Sequence, residues 1–154
     1  KEQRSLSRKV KFSSNWYKQK TKVAKIHNQI KNSRLDFLHK LSTELVKKYN
    51  AIAIEDLNMK GMSQCLNFGK SVHDNGWGMF TTMLKYKTEL SGKQLIKIDK
   101  YFPSSQLCSC CGQVNPATKN LNYRWFTCDC GNSIDRDLNA SINIKEFGAN
   151  SLAY

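Results

Sequence analysis

The protein has 154 residues, of which 25 are Lys or Arg and 12 are Asp or Glu, giving a formal net charge of +13. This length suits one domain, or one domain with a small added module. A hydrophobic content of 40% is enough for a core, which excludes a wholly disordered chain. No apolar run approaches the ~18 residues of a membrane span. The polar first residues also exclude a signal peptide, so we expect a cytoplasmic protein with no membrane partner.

The basic residues are concentrated in the first third of the chain. Residues 1–48 contain 14 Lys or Arg against 3 Asp or Glu, whereas residues 49–154 contain 11 against 9. A basic arm followed by a nearly neutral body favours a polyanion as the partner, and nucleic acid is the usual one. A solvated helix face is the alternative. The residues that we expect to contact nucleic acid here are Lys18, Lys22 and Lys25.

The first half of the chain predicts one long helix and a strand. Apolar residues at steps of three and four predict a helix over residues 15–49, capped by Ser13 or Ser14. The phase of the pattern shifts near Asn32, which leaves open a kink or two helices. Residues 51–54 predict a short buried strand, and residues 57–74 predict a connector.

The second half predicts a further alternation of helix and strand. Asn75-Gly76 precedes a predicted helix that Ser91-Gly92 stops, and residues 94–102 predict a second strand. After a cysteine-bearing segment, residues 137–147 predict a last helix, which Gly148 ends. This order favours an α/β layer fold, although two strands make too little sheet for a complete one.

Five of the six cysteines fall within 23 residues. Without a secretory signal, clustered cysteines bind metal more often than they form disulfides. The predicted ligands are two pairs, each followed by glycine: Cys108 with Cys111, and Cys128 with Cys130. Four thiolates suit a tetrahedral, structural zinc ion, and the spacing predicts a zinc ribbon over residues 104–134. Free thiols or an iron–sulfur cluster are the alternatives, and Cys110 could replace Cys111. We expect Cys65 to be an ordinary thiol.

Three charged positions admit both a catalytic and a structural interpretation. Glu55 closes a predicted buried strand, and the carboxyl ends of such strands often face a ligand, but Glu55-Asp56 could simply begin a loop. Asp137 opens the last predicted helix and could be its N-cap. Arg136 could contact phosphate or form a surface salt bridge. From the residues alone, the structural interpretation is favoured for each carboxylate.

Several motifs in a fixed order change this balance. The chain contains, in sequence, IAIEDLNMKGM, GWGMF, YFPSSQLCSCCG, CDCG and DRDLNASINI. Together they resemble the C-terminal half of TnpB, the OrfB protein of bacterial insertion sequences, a family related to the type V CRISPR effector nucleases. The resemblance extends over essentially the whole chain. It departs from the commoner family spacing at the second cysteine pair, which is Cys-x-Cys.

The resemblance implies an RNase H-like RuvC fold, incomplete at its N-terminus, with an inserted zinc ribbon of four cysteines. Residues 1–103 would form part of the nuclease domain, residues 104–134 the zinc ribbon and residues 135–154 the C-terminal RuvC helix. It further implies RNA-guided cleavage of DNA by a transposition protein of the bacterial cytoplasm, with DNA and a guide RNA as partners.

The resemblance also implies an active site of three carboxylates. Glu55 matches the second and Asp137 the third, but no Gly-Ile-Asp-like motif, which carries the first, precedes Glu55 here. Such a site holds two Mg²⁺ ions ~3.5–4 Å apart. We therefore expect this chain to be inactive by itself. The alternative is a non-catalytic zinc-ribbon protein that binds DNA or RNA.

Overall fold

The computed structural model describes residues 1–59, 61, 76–120, 122 and 124–152. The predicted connector lies mostly outside these residues, and so does Cys65. The elements, in chain order, are α1 (Glu2–Ser7), α2 (Ser14–Lys48), β1 (Ala51–Glu55), α3 (Trp77–Leu90), β2 (Gln94–Ile98), a 3₁₀ turn (Pro116–Lys119), β3 (Trp125–Thr127), β4 (Ser133–Asp135) and α4 (Arg136–Asn150). The predicted α/β order is confirmed.

Helix α2 is one continuous helix of 35 residues, about 50 Å long. Ser13 is its N-cap and accepts a hydrogen bond from the Trp16 backbone N–H. The two-helix alternative near Asn32 is therefore wrong. Despite its length, α2 is polar, and no helix in the described part of the chain is long and apolar enough to cross a membrane.

The sequence did not predict α1, which lies against the N-terminal half of α2. The Gln19 amide of α2 donates to the Glu2 carboxylate at 2.9 Å, and the Lys22 ammonium lies 3.2 Å from the same group. These two contacts lower the pKa of Glu2, the Gln19 hydrogen bond being the larger cause. Polar contacts rather than an apolar stripe therefore hold this short helix.

Strands β1 and β2 pair in parallel, from Ala51 opposite Gln94 to Glu55 opposite Ile98. Strand β2 ends four residues before the predicted end. The Asp99 side chain accepts a hydrogen bond from the Tyr101 N–H at 2.7 Å, and this local turn takes the chain out of the sheet.

The two faces of the sheet are covered by different helices. Ile54 packs with Val46 of α2 and Leu84 of α3, and Leu84 is completely buried. On the opposite face α4 crosses β1 at Gly148, where an added Cβ would lie 2.8 Å from the Ala53 Cβ. The prediction that Gly148 ends the last helix is wrong. The helix runs on to Asn150, and the glycine permits close packing on the sheet.

The direction of α4 follows from its contacts with the chain that leaves β2. The rings of Phe102 and Phe147 lie 4.5 Å apart, and the Asn143 amide donates to the Ser104 carbonyl at 2.8 Å. As the chain after β2 leaves the sheet, its successive residues therefore contact positions nearer the N-terminus of α4. The N-terminus of α4 consequently lies beyond the edge formed by the carboxyl ends of the strands.

Candidate functional site

Two tight turns present the four predicted metal ligands. In the first, the Cys108 N–H donates to the Gln113 carbonyl and the Gly112 N–H donates to the Cys108 carbonyl, both at 2.9 Å. In the second, the Cys128 N–H donates to the Asn132 carbonyl and the Gly131 N–H donates to the Cys128 carbonyl. Both glycines have positive φ, +75° and +89°, which explains why a glycine follows each cysteine pair.

The turns bring the four thiols of Cys108, Cys111, Cys128 and Cys130 within 4.8 Å of one another. The Cys108 and Cys130 sulfurs are 3.7 Å apart, and those of Cys111 and Cys128 are 3.6 Å apart. A metal ion could be held by this group. Cys110 is exposed and lies outside it, so the geometry favours Cys111 over Cys110 as the ligand.

The pKa of one of the four thiols is shifted in the opposite direction from the other three. Burial by itself would raise the pKa of Cys108, but the Cys111 N–H, the Asn132 amide and further donors lower it to about 6. For the other three thiols, backbone N–H groups act to lower the pKa, yet burial and the neighbouring thiols outweigh them and the pKa is raised. One thiolate is thus favoured near neutral pH, and a bound cation would be needed to ionise all four.

Two asparagines of α4 fasten the first cysteine turn to the helix. The Asn139 side-chain carbonyl accepts from the Ser109 N–H at 3.0 Å, and its amide donates to the Leu107 carbonyl at 2.6 Å. The Asn143 amide also donates to the Leu107 carbonyl, at 2.8 Å. Asn139 is completely buried. The sequence did not predict this connection, because no local pattern distinguishes a buried asparagine amide from a solvated one.

The N-cap of α4 is Asp135, not Asp137. The Asp135 carboxylate accepts from the Asp137 and Leu138 N–H groups at 2.9 and 3.0 Å. Asp137 is the second residue of the helix, and its side chain is 73% exposed. The capping interpretation of Asp137 is therefore wrong, and its carboxylate remains accessible at the helix N-terminus.

Glu55 lies at the carboxyl end of β1 on the face that α4 covers. Side chains alternate along a strand, so Glu55 shares a face with Ala53, which packs against Gly148. Burial raises the pKa of Glu55. Asp56 instead follows the alternation to the other face, where its carboxylate lies 3.2 Å from the Lys97 ammonium. The two neighbouring acids are thus separated, with Asp56 paired to Lys97 and Glu55 on the face that α4 covers.

Arg136 is buried beside this edge. Its side chain is 11% exposed, and one guanidinium nitrogen, Nη2, lies 3.4 Å from the Asp137 carboxylate. The other, Nη1, is buried with no hydrogen-bond partner among the residues that the structure describes. The salt bridge thus joins a buried guanidinium to an exposed carboxylate, as the structural interpretation of Arg136 expects in part.

The three lysines predicted to contact nucleic acid, Lys18, Lys22 and Lys25, are exposed along the N-terminal half of α2. The buried residues of this helix, Leu38, Ser42 and Val46, all lie in its C-terminal half. Because α2 is one continuous helix and its buried residues begin at Leu38, its N-terminal half projects beyond these core contacts.

Comparison with known proteins gives two family matches. Residues 1–66 match the family described as Probable transposase, and residues 77–144 match the one described as Cas12f1-like, TNB domain. A Streptomyces pristinaespiralis protein named as an RNA-guided DNA endonuclease is 44% identical over 148 residues, covering 96% of this chain and 37% of that protein. InsQ of Escherichia coli K12, also named as an RNA-guided DNA endonuclease, is 35% identical over 98% of this chain and 41% of its own length.

A solved structure has the same fold. Cas12f1, in the cryo-EM structure of its complex with sgRNA and target DNA, superposes with a TM-score of 0.60 at 18% identity. The superposition covers 81% of this chain and 37% of Cas12f1. The chain therefore spans less than half the length of each of these relatives.

Proposed function

Because the chain belongs to the TnpB/OrfB family of insertion-sequence proteins, we propose that it is part of an RNA-guided DNA endonuclease and supplies two active-site carboxylates, Glu55 and Asp137. In this proposal β1, β2 and their helices belong to an RNase H-like RuvC domain, and a zinc ribbon is inserted between β2 and α4. DNA and a guide RNA are the partners.

The observation that carries the proposal is the position of these two carboxylates. Glu55 ends β1 on the face that α4 covers and Asp137 is exposed in the first turn of α4, while Asp135 caps the helix and Asp56 pairs with Lys97. The structural roles open to these carboxylates, capping the helix and pairing with a lysine, are thus filled by the neighbouring acids Asp135 and Asp56.

The donor set fits Mg²⁺, a hard cation that prefers carboxylate oxygens. When bound, paired Mg²⁺ ions activate water and stabilise the leaving oxygen of a phosphodiester. The chain's own residues prepare this site. Burial leaves the ionised form of Glu55 poorly solvated, which favours a compensating cation.

The cysteine site fits zinc. Tetrahedral zinc has Zn–S bonds of about 2.3 Å, which places the sulfurs about 3.8 Å apart. The two sulfur pairs that contact each other, at 3.7 and 3.6 Å, are close to this spacing. Metal analysis of purified protein should give one zinc per chain. Cys110→Ser should keep this stoichiometry and Cys111→Ser should lose it, whereas the reverse would assign the site to Cys110.

Cleavage assays test the proposed enzyme. Because the family resemblance implies three carboxylates and this chain matches two, we expect no DNA cleavage by the 154-residue chain with Mg²⁺ and a guide RNA. Robust cleavage that Glu55→Gln abolishes would show that these two carboxylates suffice. Robust cleavage that survives both Glu55→Gln and Asp137→Asn would refute the assignment of the site.

A second candidate, a nucleic-acid-binding module without catalysis, is favoured by the projecting, lysine-rich half of α2. Its phosphate contacts predict an affinity that falls steeply between low and physiological salt. Replacement of Lys18, Lys22 and Lys25 by Gln should weaken binding and flatten this dependence. An affinity that hardly changes with salt would exclude the module.

A further inference from the structure

Three aromatic residues gather at the projecting N-terminal end of α2, and we refer to Phe12, Trp16 and Tyr17 as the aromatic tip. The rings of Phe12 and Trp16 lie 5.6 Å apart at 51°, and those of Trp16 and Tyr17 lie 5.1 Å apart at 83°. Phe12 is 72% exposed and Tyr17 is 51% exposed. The tip therefore presents flat apolar faces to solvent.

The tip is held in this arrangement by the local backbone. Phe12 has φ of +68°, a left-handed conformation that bulky residues rarely adopt. The hydroxyl of Ser13 donates to the Val10 carbonyl at 2.8 Å and so closes the turn around Phe12. Backbone strain of this kind is concentrated at functional sites, and here it fixes an exposed aromatic ring ahead of the helix.

The surroundings of the tip are positively charged. Between Glu2 and Asp36 the sequence contains ten Lys or Arg and no acidic residue. The Lys20 ammonium lies 5.1 Å from the centre of the Trp16 ring, so positive charge and aromatic surface are adjacent. A fitting partner needs both repeated negative charges and flat apolar groups.

Unpaired nucleic acid meets both requirements, since its phosphates are spaced along the strand and its bases are free to stack. A duplex keeps its bases stacked on one another and offers mainly phosphates. We propose that the aromatic tip stacks on unpaired bases of a single-stranded segment while the neighbouring lysines contact its phosphates. This rests on the proposed binding of nucleic acid and specifies which form of it this surface recognises.

The test compares the affinity of the 154-residue chain for a single-stranded oligonucleotide and for an abasic strand of equal length and charge. The wild-type chain should bind the base-containing strand about tenfold more tightly. Phe12→Ala should reduce this preference several-fold, and Phe12→Tyr should retain it. Phe37→Ala is the matched control, because Phe37 is likewise an exposed phenylalanine, at 61%, but lies on α2 far from the tip.

Each outcome distinguishes between the proposals. Equal wild-type affinity for the two strands, or equal effects of Phe12→Ala and Phe37→Ala, would overturn stacking while leaving phosphate binding intact. Tighter binding to anionic phosphatidylserine vesicles than to the base-containing strand would also overturn it. Failure to bind either strand would refute the proposed nucleic-acid function as well. Circular dichroism of each variant confirms that the helices remain folded.

Discussion

Asp135 and Asp137 are two residues apart at the start of α4, yet they have different roles. Asp135 accepts two backbone hydrogen bonds of the helix N-terminus, whereas the Asp137 carboxylate is exposed beside Arg136. The same division occurs at the end of β1, where Asp56 pairs with Lys97 and Glu55 turns to the α4 face. At the residue scale, the neighbour of each proposed ligand takes the structural role.

This division predicts different stability effects at the two aspartates. Asp135→Ala should lower the free energy of unfolding by about 1 kcal/mol, the usual cost of losing an N-cap. Asp137→Ala should lower it by less, about 0.5 kcal/mol, because it removes an exposed carboxylate and its contact with Arg136 but no capping hydrogen bond. Urea denaturation of both variants, with metal content held constant, measures the difference. Equal losses would return the capping role to Asp137.

The burial of Glu55 should make the free energy of unfolding depend on pH. Burial raises its pKa above the ordinary 4.5, so the folded chain holds this proton more tightly than the unfolded chain. The free energy of unfolding should therefore fall as the pH rises above 4.5 through the raised pKa. Glu55→Gln removes this loss and should raise Tm at about pH 7.5 without Mg²⁺ by roughly 1–3 °C.

The pH series carries its own control. The advantage of Glu55→Gln should shrink as the pH falls towards 4.5, because wild-type Glu55 is then protonated as well. Asp56→Asn, an exposed position on the other face, should show no such advantage near neutral pH. A Tm of Glu55→Gln below that of the wild type near neutral pH would contradict the assigned environment.

At the scale of elements, α4 connects the two candidate sites. Its first turn carries Asp137, and further along the helix Asn139 and Asn143 hold the cysteine-bearing turn through the Leu107 carbonyl. Metal binding at the cysteines would therefore also support the helix end that presents Asp137.

Loss of the hydrogen bonds between α4 and the cysteine-bearing turn should destabilise the fold. Asn139→Ala leaves the partly buried Ser109 N–H without its acceptor and should lower the free energy of unfolding by about 1–3 kcal/mol. It should also make the cysteine site release metal more readily to a chelator. Ser141→Ala is the control, since this exposed serine donates to the Leu138 carbonyl of its own helix. Identical metal release by Asn139→Ala and wild type would show that the two sites are independent.

Periodicity predicted the order and type of the major elements because their apolar faces are buried. It could not predict α1, whose six residues are held by polar contacts to Gln19 and Lys22. It also could not show that Asn139 bonds to Leu107, 32 residues earlier, because nothing local distinguishes such an amide from a solvated one. The cysteine spacing predicted the four close thiols, since two short turns leave little freedom in where they point.

At the scale of the whole molecule, charge and shape divide the chain into two parts. The N-terminal half of α2 projects with exposed lysines, whereas the sheet, α3 and α4 form a body that carries Glu55 and Asp137. The uneven distribution of charge fits the proposed nucleic-acid partner.

Mn²⁺ binding measured by paramagnetic broadening of backbone amide signals tests the central claim, that Glu55 and Asp137 form one metal site. Zinc-loaded protein should lose the signals of residues 54–56 and 136–138 together at low Mn²⁺. Glu55→Gln and Asp137→Asn should each abolish both sets of losses, and Asp56→Asn should preserve them. Broadening of one segment without the other, or broadening that survives both substitutions, would contradict a shared site.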